Sequence, residues 1–445
     1  MHAPPSLART VDTLPTWQEV VDTLLLRGGY NTTWVMIGTT LLGIAAGIIG
    51  VFALLRKRAL VADALSHATL PGIALAFIVG TMLGVQGKSL PVLLLGAACS
   101  GVLGVVVIQL LHRHPRVRED SAIAIVLSGF FGAGIVLLSV VQSMRSGSQG
   151  GLARFIYGQT AAMRHEDAIV MSVIAGLALV ASLALLKEFA LVSFNEGFAR
   201  VTGWPVTLID MVMMGLIVLG VVAGLQAVGL ILVVAMLIIP AASARFWTDR
   251  LRLLVLISAV IGGLCGYAGS ATSALLPRKP AGSVIVLCGG ALFVLSMLVA
   301  PRRGVMASAF RRISLRGRVA RDHLLEQLHE LEQRDGRGTV VASGELVDAM
   351  RRRGWTGLQT RVFLGLLRLR GLIERRDGGI GLSERGRAIG ARVARNHALW
   401  ERYLIEHADI APSHVDWTVD RVEHVLRDDV VRELERAIAR TEAAR

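Results

Sequence analysis

Nine stretches of this chain are apolar over about the length a helix needs to cross a lipid bilayer, and nothing else constrains its fold as tightly. A span takes about 20 apolar residues. The qualifying runs lie near 33–55, 61–83, 89–111, 121–141, 167–186, 206–224, 226–244, 253–274 and 281–300. Helices and closed barrels alone satisfy every backbone polar group in hydrocarbon, so runs of this length predict an all-α polytopic membrane domain of eight or nine transmembrane helices. The count is open by one because Gly220 and Gly224 interrupt the stretch 206–244. Only 18% of the 445 residues are charged and mean hydropathy is +0.59, against about a quarter charged in soluble proteins. A secreted enzyme, a disulfide scaffold and a disordered chain are excluded.

The formal net charge of +14 is unevenly divided. Residues 305–445 hold 26 Lys+Arg and 21 Asp+Glu, a net of +5, which leaves 21 and 12, a net of +9, for residues 1–304. The chain therefore reads as a polar N-terminal segment (1–32), a transmembrane domain (33–304), a linker (305–317) and a soluble domain (318–445). Basic clusters fall in every second loop: Arg56-Lys57-Arg58, His112 to Arg118, Lys187 to Arg200, Arg245 to Arg252, and Arg302-Arg303. The positive-inside bias makes these loops, and the tail after them, cytoplasmic. Arg145, Arg154 and Arg164 are exceptions in a loop read as external. Residues 1–31 are polar and mixed, so no signal peptide is expected. Cys99, Cys265 and Cys288 sit in apolar stretches without C-x-x-C spacing and read as small buried hydrophobes. Small-residue pairs such as Gly43/Gly47, Gly101/Gly104 and Gly262/Gly263 are expected to let helices approach closely.

No ATP site is expected in this chain. Gly84-Val85-Gln86-Gly87-Lys88-Ser89 resembles a phosphate-binding loop, but Met82 stands where that loop requires its first glycine. The informative stretch is Arg58 to Gly72, in which Asp63 and His67 lie four residues apart inside an apolar run. That spacing places both on one helical face, and an ionisable residue within a span is by default a functional site. Carboxylate plus imidazole suits divalent Mn, Fe or Zn; a packing hydrogen bond is the alternative. One Asp and one His are too few for a selective site, and a two-fold axis between two copies would double them. His165, Glu166 and Asp210, near span ends, read as interfacial.

The Arg58–Gly72 string resembles the signature of the metal-uptake permeases of bacterial ABC transporters, which import manganese, zinc or iron. Three further stretches resemble that family in order: "FNEGFARVTGWP" within Glu188 to Pro205, Val228 to Phe246, and Pro280 to Phe293. The resemblance implies a permease subunit of the bacterial inner membrane, with no enzyme activity of its own. It would work with two copies of an ABC ATPase, a second permease copy and an extracytoplasmic metal-binding protein. Asp63 and His67 would then line the path of the metal, which is the substrate. Glu188, Phe194, Glu196, Phe198, Ala199 and Gly203 would form the segment coupled to the ATPase, a short amphipathic helix. Asn195 departs from the family, where an acidic residue is frequent.

The tail predicts helices over 318–334, from Ser343 to Arg352 and from Thr356 to Arg370, then a hairpin over Leu372 to Ser383 turning at Asp377-Gly378-Gly379, and helices from Glu384 to Glu406 and Asp416 to Ala437. Three helices and a hairpin make a winged helix-turn-helix, followed here by further helices. Gly381 to Glu406 and Val419 to Leu426 resemble the metal-dependent repressors of the diphtheria-toxin-repressor and manganese-regulator family. The resemblance implies that the further helices form a helical metal-binding and dimerisation part, and that a regulatory divalent metal is held by His323, Glu326, His397, Asp420, Glu423 and His424. His323 stands where an Asp is usual, and Asp420 where a Glu is more frequent. Independently, Asp420, Glu423 and His424 share one helix face. Gln359, Thr360, Arg361 and Arg368 on the third helix are candidate DNA contacts, but +5 is a modest electrostatic footprint. The favoured reading is a metal permease with a fused sensor that regulates transport. The competing one is a membrane-anchored metal-dependent transcriptional regulator. A metal-dependent intramembrane enzyme lacks a second nucleophile or base near Asp63 and His67.

Overall fold

The computed structural model describes residues 15–83, 90–144, 165–276, 280–334, 340–352, 354–376 and 379–407. It divides into two compact units, Met1–Ala307 and Ser308–Arg445. The first opens with the short helix α1 (Trp17–Leu24), whose start is fastened by a reciprocal capping box between Thr16 and Glu19. Long apolar helices follow: α2 (Tyr30–Leu55), α3 (Ala59–Met82), α4 (Leu90–His112), α5 (Glu119–Ser143) and α6 (His165–Ala184). Two short helices, α7 (Leu186–Phe194) and α8 (Glu196–Val201), precede α9 (Val206–Ala227), α10 (Leu230–Trp247), α11 (Leu251–Leu275) and α12 (Ala281–Val299). Eight of these, α2 to α6, α9, α11 and α12, are long and apolar enough to cross a membrane, and α10 is a shorter apolar helix.

The stretch 206–244 is broken, but not where the sequence suggests. Gly220 and Gly224 lie inside α9, and the break falls at Gly229, whose φ of 88° belongs to the left-handed region where glycine carries no Cβ penalty. Apolar helices in lipid gain little from hydrophobicity, so close backbone approach has to hold them. A Cβ on Gly43 of α2 would collide with the Gly262 carbonyl of α11, and one on Gly72 of α3 with the Gly96 carbonyl of α4. Ser258 adds a hydroxyl hydrogen bond of 2.7 Å to the Gly47 carbonyl across the same α2–α11 contact.

Ion pairs gather the basic loops. Arg56 pairs with Glu196 at 2.9 Å, Arg58 pairs with Glu119, and Arg303 pairs with Asp249 at 2.8 Å. The loops α2–α3 and α4–α5 and the start of α8 thus meet at one basic end of the helices.

In the second unit, α13 (Val305–Arg334) is followed by α14 (Ser343–Arg352), α15 (Gly357–Leu369), strands β1 (Ile373–Arg376) and β2 (Gly379–Leu382), and α16 (Glu384–His407). Residues 305–317, read from the sequence as a linker, form the first turns of α13. β1 and β2 are antiparallel, with Ile373 opposite Leu382 and Arg376 opposite Gly379. Leu324, Leu325, Leu328, Leu346, Met350, Leu364, Leu367, Leu372 and Leu382 share one core. The expected helix–helix–helix–hairpin–helix order is present. Glu332 ties its parts together: the buried carboxylate accepts the Leu382 N–H at 2.8 Å and the Arg387 guanidinium at 3.3 Å. Glu332→Ala would leave those donors without their acceptor, and unfolding followed by proteolysis is expected to show the tail destabilised by about 2 kcal/mol. The predicted helix from Asp416 to Ala437 lies outside the described residues.

Candidate metal path and its coupling junction

α3 carries both intramembrane candidates. Asp63 Oδ1 stands 3.6 Å from His67 Nε2, beyond hydrogen-bond range. Two ligands each ~2.1 Å from one ion at a tetrahedral angle are ~3.4 Å apart, so the pair suits a shared cation better than a mutual bond. His67 Nδ1 is buried with no hydrogen-bond partner, and its ring meets the edge of Phe131 with centroids 5.0 Å apart. Pro71, one turn on within α3, has no N–H to give the His67 carbonyl, which frees a further oxygen beside the imidazole. At ~1.5 Å of rise per residue the pair lies ~6 and ~12 Å from the start of α3, nearer the basic end. The Asp63 side chain is 43% exposed, on a stripe with the exposed Leu60, Leu75, Val79 and Met82. A carboxylate facing hydrocarbon is expensive, so this face needs a cover.

The segment 187–205 is two helices rather than the single amphipathic helix expected. The chain breaks at Asn195, whose side-chain oxygen accepts the Phe198 N–H at 2.9 Å and caps α8. Asp and Asn cap equally well, so the departure at this position keeps the local structure. Phe189, Val192 and Ala199 are buried, while Phe194 is 66% and Phe198 54% exposed. Val201 and Trp204 extend that exposed apolar surface. Gly203 adopts φ 84° and turns the chain into α9. Glu188 Oε2 is buried without a partner.

Beneath α8 lies a polar junction that sequence reasoning missed. Asp210, expected at an interface, is 5% exposed. One carboxylate oxygen accepts both Arg56, at 3.0 Å, and Arg58, while the other accepts Gln109 at 3.0 Å. Arg56 continues to Glu196 at 2.9 Å and to the Val192 carbonyl at 3.2 Å. The coupling segment, α2, α4, α9 and the first residue before α3 are thereby joined through one carboxylate. Burial by itself would raise the Glu196 pKa, but hydrogen bonds from Arg56 and Arg200 outweigh it and hold the carboxyl below the ordinary 4.5. The contact is complete above that ordinary value and is lost only as pH falls through the lowered one, so it persists across neutral pH. A cleft of about 430 Å³ opens here, lined also by His112, Arg113 and Thr207. The available signal was a lone carboxylate near the start of an apolar span, ten residues after Arg200. Which arginine it meets is a tertiary fact. His165, by contrast, stacks near Tyr30 at a span end, with centroids 5.7 Å apart, in keeping with an interfacial place.

In the tail, His323 and Glu326 are buried on α13, and Glu326 Oε1 lies 3.5 Å from His397 Nδ1 on α16. A carboxylate and an imidazole brought together from two helices fit an Mn or Fe donor set. Asp420, Glu423 and His424 lie outside the described residues, and among the described residues no three metal-binding side chains cluster. The candidate DNA contacts fare differently. Thr360 is fully buried, and the Gln359 side chain is spent on a capping box with Thr356, at 3.0 and 3.3 Å. Thr360 is corrected as a DNA reader because it faces the core; Gln359 stays exposed, with its side-chain oxygen capping its own helix. Arg361 and Arg368 are exposed, beside an outward apolar stripe of Leu358, Val362, Leu366 and Leu369.

Residues 30–300 match the ABC 3 transport family, and residues 383–443 match the iron dependent repressor, metal binding and dimerisation domain. The chain is 40% identical over 382 residues to the manganese transport system membrane protein MntC of Bacillus subtilis, covering 86% of each. That stretch is longer than the 300 residues at which the first family match ends, so it runs into the tail. Over 287 residues the chain is 42% identical to the zinc transport system membrane protein TroC of Treponema pallidum, covering 64% of this chain and 93% of that one. Among solved structures, PsaBC from Streptococcus pneumoniae in complex with Fab aligns with a TM-score of 0.55 at 30% identity, over 65% of this chain and 98% of that one.

Proposed function

The chain belongs to the ABC 3 transport family, and from that premise we infer that it is the membrane permease of an ATP-driven importer of a divalent transition metal, manganese, iron or zinc. It hydrolyses no ATP itself. The observation that carries the metal path is the Asp63–His67 pair: two donors 3.6 Å apart in an otherwise apolar helix, the carboxylate on its exposed stripe and the imidazole 20% exposed. A second permease copy against that stripe would remove the carboxylate from lipid and double the donors. One ATPase subunit per permease copy, two in all, would dock on the exposed Phe194, Phe198, Val201 and Trp204, an apolar patch on an amphipathic segment. An extracytoplasmic protein would deliver the metal at the opposite end. The basic end is read as cytoplasmic, in a bacterial inner membrane.

Uptake of manganese, iron and zinc by vesicles holding this chain and its ATPase tests the reading. ATP-dependent accumulation of at least one metal is expected, and none for all three would overturn it. Phe194→Ser combined with Phe198→Ser should lower metal-stimulated ATP hydrolysis about thirtyfold, since losing two exposed aromatic anchors costs of the order of 2 kcal/mol of docking.

For the tail, the Glu326–His397 pair supports a regulatory metal site, in which His323 and the C-terminal Asp420, Glu423 and His424 would complete the ligands. The bound ion would supply a cross-link between α13 and α16. The outward apolar stripe on α15 favours regulation of transport over reading DNA. In vesicles preloaded with manganese, transport by the intact chain should respond to internal metal. A Glu326→Gln, His397→Gln variant should not, and an identical response in both would remove the sensor role.

A further inference from the structure

Five residues separate the end of α12 at Val299 from the start of α13 at Val305, across a turn where a Cβ on Gly304 would collide with the Ala300 carbonyl. Its first turns are amphipathic and exposed around their circumference. Met306, Phe310 and Ile313 follow i, i+4, i+7 spacing and are 61%, 73% and 68% exposed, a single apolar stripe. Arg312 and Arg316 flank one edge of it, Arg311 and Arg318 the other, all exposed. No acidic residue occurs between Arg302 and Arg321. The tail's core begins only at Ala320. This stretch therefore makes no contribution to that core: it is the exposed N-terminal extension of α13, whose later turns alone are packed.

We propose that residues 305–318 form an interfacial helix that docks on anionic phospholipid at the inner leaflet, the apolar stripe among the acyl chains and the arginines on the headgroups. Charge complementarity selects the occupant: four arginines in a stretch of sequence that holds no Asp or Glu, next to the end of a membrane span, match a negative leaflet surface. Nucleic acid would meet the same arginines but would leave Phe310 and Ile313 without an apolar medium, and the ATPase already has its apolar seat on Phe194 and Phe198. The proposal rests on the membrane placement above and is independent of which metal is carried.

Hydrogen exchange of amides 305–318 in the full-length chain tests it, in nanodiscs of phosphatidylcholine and in discs containing about a third phosphatidylglycerol. Exchange should be at least about tenfold slower with phosphatidylglycerol, with the difference shrinking in high salt. It should vanish in a variant with Arg311→Gln, Arg312→Gln, Arg316→Gln and Arg318→Gln, and also in Phe310→Ser with Ile313→Ser. Equal exchange in the two lipids overturns the proposal, as does protection that survives the arginine substitutions or that appears only on adding the ATPase. Exchange across α2 and α11 reports whether each variant is folded, and metal uptake by the same discs fused into vesicles reports separately on the permease reading.

Discussion

Uptake of manganese by vesicles should fall by two orders of magnitude or more when Asp63 is replaced by alanine. The carboxylate is one of two side-chain donors that α3 offers, separated from His67 Nε2 by 3.6 Å. Losing a charge-assisted ligand costs about 1.5–3 kcal/mol, and a site on a two-fold axis loses two at once, about 3–6 kcal/mol or at least a hundredfold. Asp63→Asn keeps an oxygen and loses the charge, so it should fall between wild type and alanine. His67→Ala should match Asp63→Ala, because it removes the imidazole while leaving the carbonyl freed by Pro71. Exposed Leu60, on the same stripe but without a donor, serves as the control: Leu60→Ala should transport normally. Unchanged uptake in Asp63→Ala would show that the metal passes elsewhere.

Asp210→Ala is expected to destabilise the membrane unit by about 3–5 kcal/mol, the usual cost of removing one partner from a buried ion pair. Arg56, Arg58 and Gln109 would all lose a shared acceptor, although Arg56 keeps Glu196 and Arg58 keeps Glu119. Asp210→Asn retains an acceptor oxygen and should lose less. Thermal unfolding of the detergent-solubilised chain should therefore rank wild type above Asn above Ala. The same substitutions should impair ATP-driven uptake more than manganese binding, because the carboxylate joins α8 to the base of α3 and touches no metal. A double substitution with Glu196→Gln would show coupling between the two positions through Arg56, whereas additive losses would mean that the junction transmits nothing.

Much of the fold was legible because it rests on local periodicity. The apolar runs, the basic loops between them and the hairpin between Leu372 and Ser383 depend on composition over short windows. Asp63 and His67 could be placed on one face from spacing alone. The break in 206–244 was misplaced because several glycines offered it, and only backbone conformation distinguishes Gly229 from Gly220 and Gly224. Residues 305–317 read as a linker because they lie between the last apolar span and the first helix predicted for the tail, although the spacing of Met306, Phe310 and Ile313 was already helical. Thr360 looked like a DNA contact beside Arg361; its burial depends on which face of its helix packs into the tail's core, which one helix alone does not specify.

The sequence by itself determined that the chain crosses a membrane many times, that a carboxylate and an imidazole share a face within it, and that a winged-helix tail follows. Those properties are local, set by hydropathy and by the 3.6-residue turn. Only the tertiary structure decided that Asp210 is held by Arg56 and Arg58 and bound through Arg56 to Glu196, that Phe189 is buried while Phe194 and Phe198 are exposed, and that Glu326 meets His397. Each of these depends on residues tens to more than a hundred positions apart, whose side chains find one another only after helices pack, and a buried charge is tolerable only where that packing delivers its partner.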